Sequence, residues 1–151
     1  MDIEIKPYIE QAIPDVIRFE RRLREEEDCW GWEIDDDYVD RVRRSFDDDA
    51  FDDAISLLAY AGQDVIGRID CGMIKTRFDG ATQAYLDWIC VLKSYRHRGV
   101  GQALLAALRA RLQALGVTSL IAITAANDEA QRFYRAVSGA TMRDVGIWID
   151  V

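Results

Sequence analysis

The sequence predicts a mixed α/β domain with the element order βααβββαβαβ across its 151 residues. Three observations carry this. Short apolar runs, bounded by Gly, Pro, Asn or Asp, alternate with longer segments whose apolar residues recur at helical spacing. Half of the residues are hydrophobic and 30% are charged, an ordinary composition for a globular chain with a sizeable core. No linker, low-complexity tract or internal repeat interrupts the chain, so residues 1–151 are read as a single domain.

The elements follow in order. Ile3 to Pro7 reads as a short first strand that ends near its proline. Pro14 fits the first turn of a helix through Val16, Ile17, Phe19 and Leu23. The acidic stretch from Glu25 to Trp32 is a loop, after which Asp35 or Asp36 caps a second helix with Tyr38, Val39, Val42 and Phe46 on its buried side. Ala54 to Ala61 and Val65 to Ile74 flank the turn Gly62-Gln-Asp64 as a hairpin. Ala84 to Leu92 is a further strand. From Gln102, the residues Leu104, Leu105, Leu108, Leu112 and Leu115 share one helical face, and Gly116 stands where a glycine stops a helix. Ser119 to Thr124 is a buried strand, Asn127 or Asp128 begins a last helix that Gly139 ends, and the final strand or strands run to Val151.

Composition excludes several classes. No apolar run is long enough to span a membrane, and the first residues lack the basic region and apolar core of a signal peptide. Cys29, Cys71 and Cys90 are scattered without a C-x-x-C pair, so no disulfide framework or zinc site is expected, and three buried thiols in a reducing cytoplasm are. The net charge of −8 argues against a nucleic-acid binder. The charge is also unevenly placed. Residues 1–53 hold 19 acids and 8 bases, whereas residues 93–143 hold 2 acids and 8 bases. This asymmetry suggests one face for an anion and another for a cation, although the acidic runs also read as solvated loop charges.

The anion face has a specific candidate. Arg96-His97-Arg98-Gly99-Val100-Gly101 lies between an apolar strand and a long amphipathic helix. Such a junction directs unpaired backbone N–H groups and the positive end of a helix at one point, which suits a phosphate. It is neither the Walker A pattern nor the dinucleotide fingerprint. About thirty residues on comes Asn127-Asp-Glu-Ala130-Gln-Arg-Phe133-Tyr134.

Together, the strand Leu86 to Leu92, the turn Arg96 to Gly101, its helix and this Asn-x-x-Ala-x-x-Phe-Tyr segment resemble the GNAT superfamily of acyl-CoA N-acyltransferases. The resemblance covers the chain in element order and is motif-level from about Asp87 to Gly139. It implies a central, mostly antiparallel mixed sheet with a splayed cofactor strand and flanking helices. It also implies acetyl-CoA as co-substrate, with no metal, and an amine acceptor as the second partner. By the same resemblance, the backbone of Ile89 and Val91 binds the pantetheine arm, and Arg96, His97, Arg98, Gly99, Val100, Gly101 and Gln102 hold the pyrophosphate. Asn127 bonds the cofactor arm. Tyr134 lies near the thioester sulfur and protonates the departing thiolate, a transfer between groups of similar proton affinity. One departure stands out. The family has three residues and then Gly-Phe after its Phe-Tyr pair, whereas here four residues precede Gly139-Ala140.

Asp87 is the candidate base or amine anchor, as the only acid in the strand Thr82 to Leu92. Strand parity, or a bulge, would turn it toward or away from the reacting centre, and many relatives use waters instead of one base. The Val91 N–H is the candidate oxyanion contact. His97, the only histidine, lies inside the turn and is expected at phosphate or solvent rather than in catalysis. Cys90 has no activating neighbour in sequence, so no acyl-cysteine step is expected. Trp30 and Trp32 beside acidic residues suggest an aromatic, acidic acceptor pocket for a cation such as a polyamine, an aminoglycoside or a lysine side chain; the same tryptophans also read as core cover. The reading is a cytoplasmic N-acetyltransferase working by direct attack in a ternary complex. The alternative is a non-catalytic acyl-CoA-binding sensor or regulatory module. Homodimers are common in the family, and the sequence leaves that assembly open.

Overall fold

The computed structural model describes residues 2–27, 32–125, 127–143, 146–147 and 149. Among them, five strands form one sheet in the order β1-β2-β3-β4-β5. These are β1 (Glu4–Pro7), β2 (Ile55–Ala61), β3 (Asp64–Lys75), β4 (Thr82–Val91) and β5 (Leu120–Ala122). The first three pairings, β1 with β2, β2 with β3 and β3 with β4, are antiparallel, and β4 with β5 is parallel. The expected hairpin is β2–β3, and the sheet is mostly antiparallel as expected.

Helices α1 (Ile13–Glu26) and α3 (Val100–Ala114) cover opposite faces of this sheet. The register of β3 makes this plain. A Cβ on Gly67 would lie 3.1 Å from Val100 and 3.2 Å from Leu104 of α3, whereas its neighbour Arg68 reaches Glu20 of α1. Successive strand residues point to opposite faces. Pro14 sits in the first turn of α1, whose buried stripe is Ile13, Val16, Ile17, Phe19, Glu20 and Leu23. On α3, Leu104 and Leu108 have no exposed surface, and each such leucine contributes roughly 1.5–3 kcal/mol by leaving water. Leu115 was expected on the same face but is 64% exposed, because the helix ends at Ala114 and Leu115 is already its cap. The Val117 N–H bonds the Leu112 carbonyl and the Gly116 N–H bonds that of Gln113, which closes the helix with both bonds of a Schellman motif.

Helix α2 (Asp36–Arg44) begins at Asp35, whose carboxylate accepts from the Tyr38 N–H at 2.8 Å. Its apolar residues Tyr38, Val39 and Val42 are only half-buried. Helix α4 (Asp128–Arg135) begins at Asn127, whose side chain accepts from the Ala130 N–H at 2.9 Å. It stops at Arg135, and Gly139 sits four residues later in a turn where the Ala140 N–H bonds the Val137 carbonyl. Gly139 therefore does not end the helix, as the sequence suggested. The expected closing strand is not formed by the described residues after α4; residues 144–145, 148 and 150–151 of that stretch lie outside the described set.

Candidate functional site

The turn before α3 is built for open backbone donors. Gly99 is the N-cap of the helix with φ 84°, a left-handed conformation that glycine adopts without steric cost, and it supplies no side-chain cap. The first N–H groups of α3 thus have no intrahelical or capping partner, and the helix dipole adds positive potential there. Gly101 faces α4 closely: a Cβ there would lie 3.0 Å from the Phe133 ring. His97, at φ 57° and with an 81% exposed side chain, stands beside Glu129, 3.5 Å away. Arg98 lies over the Tyr95 ring at 5.7 Å. Arg96 points elsewhere. It donates to the Val91 carbonyl (3.2 Å), to Glu129 (3.1 Å) and to Glu27 (2.8 Å), so its guanidinium is engaged by protein groups.

The strand leading into this turn parts from its neighbour. β5 pairs with β4 only from Ala84 to Leu86, and the rest of β4 runs on to Val91 with β3 alone. The Leu92 N–H bonds the Ile66 carbonyl on the β3 side at 3.0 Å. Antiparallel alternation then turns the backbone groups of Val91 and Ile89 toward the side that β5 has left. The Val91 carbonyl accepts from Arg96 there, and its N–H remains. Asn127 uses its side-chain oxygen as the α4 cap, leaving the amide N–H groups as donors. Tyr134 packs edge-on against Phe133 with centroids 5.1 Å apart, and burial raises its phenol above the ordinary tyrosine value.

Asp87 lies on the other face. The β3–β4 register slips between Asp70 and Cys71: Cys71 opposes Leu86 and Asp70 opposes Trp88, so Asp87 is the extra residue of a β-bulge. Without the bulge, Asp87 and Trp88 would point to opposite faces. With it, both line one cavity of about 790 Å³ between α2 and the sheet. Its walls are aromatic, formed by Tyr8, Trp32, Tyr38, Phe46, Phe51 and Trp88, and its charged lining groups are Asp52, Asp70, Asp87 and Arg68.

A buried charge network floors this cavity. Arg68 donates to Glu20 Oε1 at 3.0 Å and to Asp70 Oδ1 at 3.0 Å, and its Nε lies 2.6 Å from Asp70 Oδ2. Tyr38 donates to the same Glu20 oxygen at 2.8 Å, and Ser56 donates to Asp70 at 2.7 Å. The guanidinium also stacks over Tyr8 (4.9 Å) and Trp88 (5.4 Å). Burial raises the Glu20 carboxyl above its ordinary value, with the Tyr38 hydrogen bond and Arg68 offsetting part of the effect. Burial alone would lower the Arg68 value, but the Asp70 carboxylate outweighs it and holds the guanidinium charged. Among the described residues, no group of three or more His, Cys, Asp or Glu is arranged to hold a metal ion, and no helix is long and apolar enough to cross a membrane.

Residues 19–139 match the family model described as "Acetyltransferase (GNAT) family", four-fifths of the chain. The chain belongs to the GNAT family of acetyltransferases. The solved structures agree on the fold. The GNAT chain is similar to an aminoglycoside acetyltransferase from an uncultured soil metagenomic sample, solved with trehalose, at TM-score 0.82 and 16% identity over 99% of this chain and 96% of that one. It is also similar to AAC(6')-Iy in complex with the bisubstrate analogue CoA-S-monomethyl-acetylneamine, at TM-score 0.78 and 19% identity over 100% and 99% of the two chains. A ribosomal-protein-alanine N-acetyltransferase from Brucella melitensis biovar Abortus 2308 gives TM-score 0.75 and 15% identity over 100% and 99%. No curated protein matches the GNAT chain in sequence.

Several residues of this candidate site escape a reading of the sequence. Glu20, Arg68 and Asp70 are among them, although each carries a local signal. Glu20 interrupts an otherwise apolar helical stripe, and Arg68 and Asp70 alternate within an apolar strand. A charge at a core position implies a partner. Tyr8 and Tyr38 follow only from the folded arrangement. Trp32 reaches the cavity and meets Trp88 edge-on at 5.9 Å, whereas Trp30 lies outside the described residues. Cys90 is buried, and burial pushes its thiol up to about 12, so the expectation of an inert cysteine matches its surroundings.

Proposed function

We propose that the chain is an acetyl-CoA-dependent N-acetyltransferase that moves an acetyl group to a primary amine by direct attack in a ternary complex. The observation that carries this reading is the parting of β4 from β5 beside the uncapped start of α3, within a chain of the GNAT family. An extended amide-bearing arm fits the open backbone groups of Ile89 and Val91. A pyrophosphate fits the N–H groups from Gly99 to Gln102, with the exposed His97 and Arg98 side chains beside them. Arg96 serves by position: it holds the turn to Glu27 and Glu129. Asn127 offers its amide donors to the same arm.

The bound thioester supplies an activated acyl carbonyl. The Val91 N–H donates to its oxygen as negative charge develops there. Asp87 receives the proton that the attacking ammonium must lose, directly or through water. Tyr134, kept protonated by burial, donates its phenolic proton to the departing sulfur. The cavity that Asp87 shares with Trp88 is the acceptor side, and its surplus of carboxylates favours a cationic amine. This reading covers residues 1–151 as one catalytic domain and places it in the cytoplasm.

The test is thiol release from acetyl-CoA across an amine panel. Release that rises with added amine is the expected result. Acetyl-CoA binding with no release above hydrolysis for any amine would overturn the reading in favour of a non-catalytic acyl-CoA-binding module.

A further inference from the structure

Two glycines interrupt β3, and they act in opposite ways. Gly67 faces α3, where a Cβ would lie 3.1 Å from Val100 and 3.2 Å from Leu104, so its bareness lets the helix pack close. Gly72 is five residues on and faces the other way, into the cavity between α2 and the sheet. A Cβ there would meet no described atom within 4 Å beyond its own chain neighbours. Gly72 is not among the residues of positive φ, so the backbone does not require a glycine there. A glycine inside a strand weakens it, and such a residue marks a place where something approaches the backbone closely. No described part of the protein approaches Gly72 on that side, so a ligand is what the bare backbone admits.

The surrounding walls indicate the kind of ligand. Gly72 pairs with Tyr85 across the sheet, and the exposed rings of Phe46 and Phe51 line the same cavity. Large rings that face water across a cavity gain from an apolar occupant. The polar groups of the inner wall are engaged with one another. Arg68 bonds Glu20 and Asp70, the Tyr38 hydroxyl bonds Glu20, Ser56 bonds Asp70, and the Ser45 hydroxyl bonds the Val42 carbonyl at 2.6 Å. A ligand rich in hydroxyls would give up water at this wall for few bonds in return, which lowers affinity. A volume of about 790 Å³ suits a small molecule. Asp87 is exposed at the bulge, two residues along β4 from Tyr85, about 6–7 Å in an ordinary strand. A flat apolar body over Gly72 therefore leaves room for a short spacer to an amine at Asp87.

We propose that the acceptor is a small arylalkylamine, with its primary amine at Asp87, a short spacer, and a flat apolar ring lying over Gly72 among the aromatic walls. This rests on the acetyltransferase reading for the reacting end only. Gly72 is then a specificity residue that makes room for the ring. It is not a catalytic residue.

The test compares 2-phenylethylamine with ethylamine, which lacks the ring, and with glucosamine, which carries a hydroxylated one. For the wild-type chain, kcat/KM for 2-phenylethylamine is expected to exceed both others about tenfold or more, the size of one ring leaving water. Gly72→Ile, whose side chain suits a strand and fills the cavity floor, is expected to shrink the preference over ethylamine about fivefold or more by raising KM for the ring-bearing amine. Gly72→Ala is expected to shrink it less, and it decides if Gly72→Ile does not fold. Thermal unfolding is expected to find both variants at least as stable as the wild type, because a strand gains from losing a glycine where nothing is displaced. A kcat/KM for 2-phenylethylamine no greater than that for ethylamine or for glucosamine overturns the proposal and leaves the acetyltransferase reading standing, as does a preference that the folded variants leave unchanged. Calorimetry with the amines in the presence of coenzyme A separates the two ideas. Binding that requires the ring and is weakened by Gly72→Ile, with no turnover of any amine, supports the ring site and overturns the catalytic reading. Absence of both binding and turnover overturns both.

Discussion

Arg96 donates to Glu27 at 2.8 Å, and this bond ties the turn before α3 to the residue that caps α1. The tie is doubled close by: Glu26 accepts from the Ser94 N–H at 3.1 Å and from its hydroxyl at 2.9 Å. Arg96 also reaches Glu129 on α4. One side chain in the glycine turn thus links the end of α1 to the helix that bears Tyr134. Arg96→Met keeps most of the volume and removes the bonds. We expect a stability loss of about 1–3 kcal/mol, read as a lower urea midpoint with an unchanged slope. An unchanged midpoint would show that solvent replaces these bonds at no cost.

Tyr134→Phe separates chemistry from binding. If the phenol protonates the leaving sulfur, kcat falls about 10²-fold or more while the acetyl-CoA dissociation constant stays near the wild-type value. Burial raises this phenol, so in the wild type it remains protonated through neutral pH and the loss of rate comes only on the alkaline side. That alkaline limb should be absent from Tyr134→Phe. Matching pH profiles for the two proteins would remove Tyr134 from the proton path.

Gly101→Ala probes the contact between α3 and α4. The new methyl would lie 3.0 Å from the Phe133 ring, so the ring must shift, and Tyr134 is its neighbour in sequence and in packing. We expect about 1–3 kcal/mol of destabilisation and a raised KM for acetyl-CoA. A companion Phe133→Leu change should recover part of both losses, measured by denaturation and steady-state kinetics. Failure of that rescue would mean the glycine matters for something other than this contact.

Glu20 should mark the stability of the fold against pH. Burial raises its carboxyl in the folded state, so in the window just above the ordinary glutamate value the folded chain binds more protons than the unfolded one. Stability from this group is therefore lost as pH rises through that window. Glu20→Gln cannot titrate, so its stability relative to wild type should improve as pH is raised there. Denaturation at a series of pH values checks this, and a constant difference between the two proteins would contradict it.

The helices and the glycine turn before α3 were legible because their signals are local. The stripe on α1, the leucines of α3, the Asn127 cap and the glycines of the turn each follow from residues within one or two turns of one another. The cavity between α2 and the sheet was much less so. The bulge at Asp87 arises from the pairing of β3 with β4, and Leu86, Asp87 and Trp88 alone do not specify it. The wall built from Tyr8, Tyr38 and Arg68 joins three distant stretches of chain, with Glu20 supplying the common partner. Trp32 lines the cavity, but its partner Trp88 lies on the central sheet and is not marked by residues near Trp32. Arg96 carries contacts of the same long-range kind, since its partners Glu27 and Glu129 lie far from it in the chain.

Among the described residues, β4 has no strand partner on this side from Asp87 to Val91, and only the Arg96 side chain reaches that rim, at the Val91 carbonyl. A bare rim is a template for any extended chain, and the same backbone groups that suit a ligand arm also suit a stray strand from another molecule. A molecule that fills the gap would therefore also block that stray pairing. Preparations saturated with a molecule that occupies the gap are expected to scatter less light on warming than the bare protein at the same concentration, and equal scattering would contradict this.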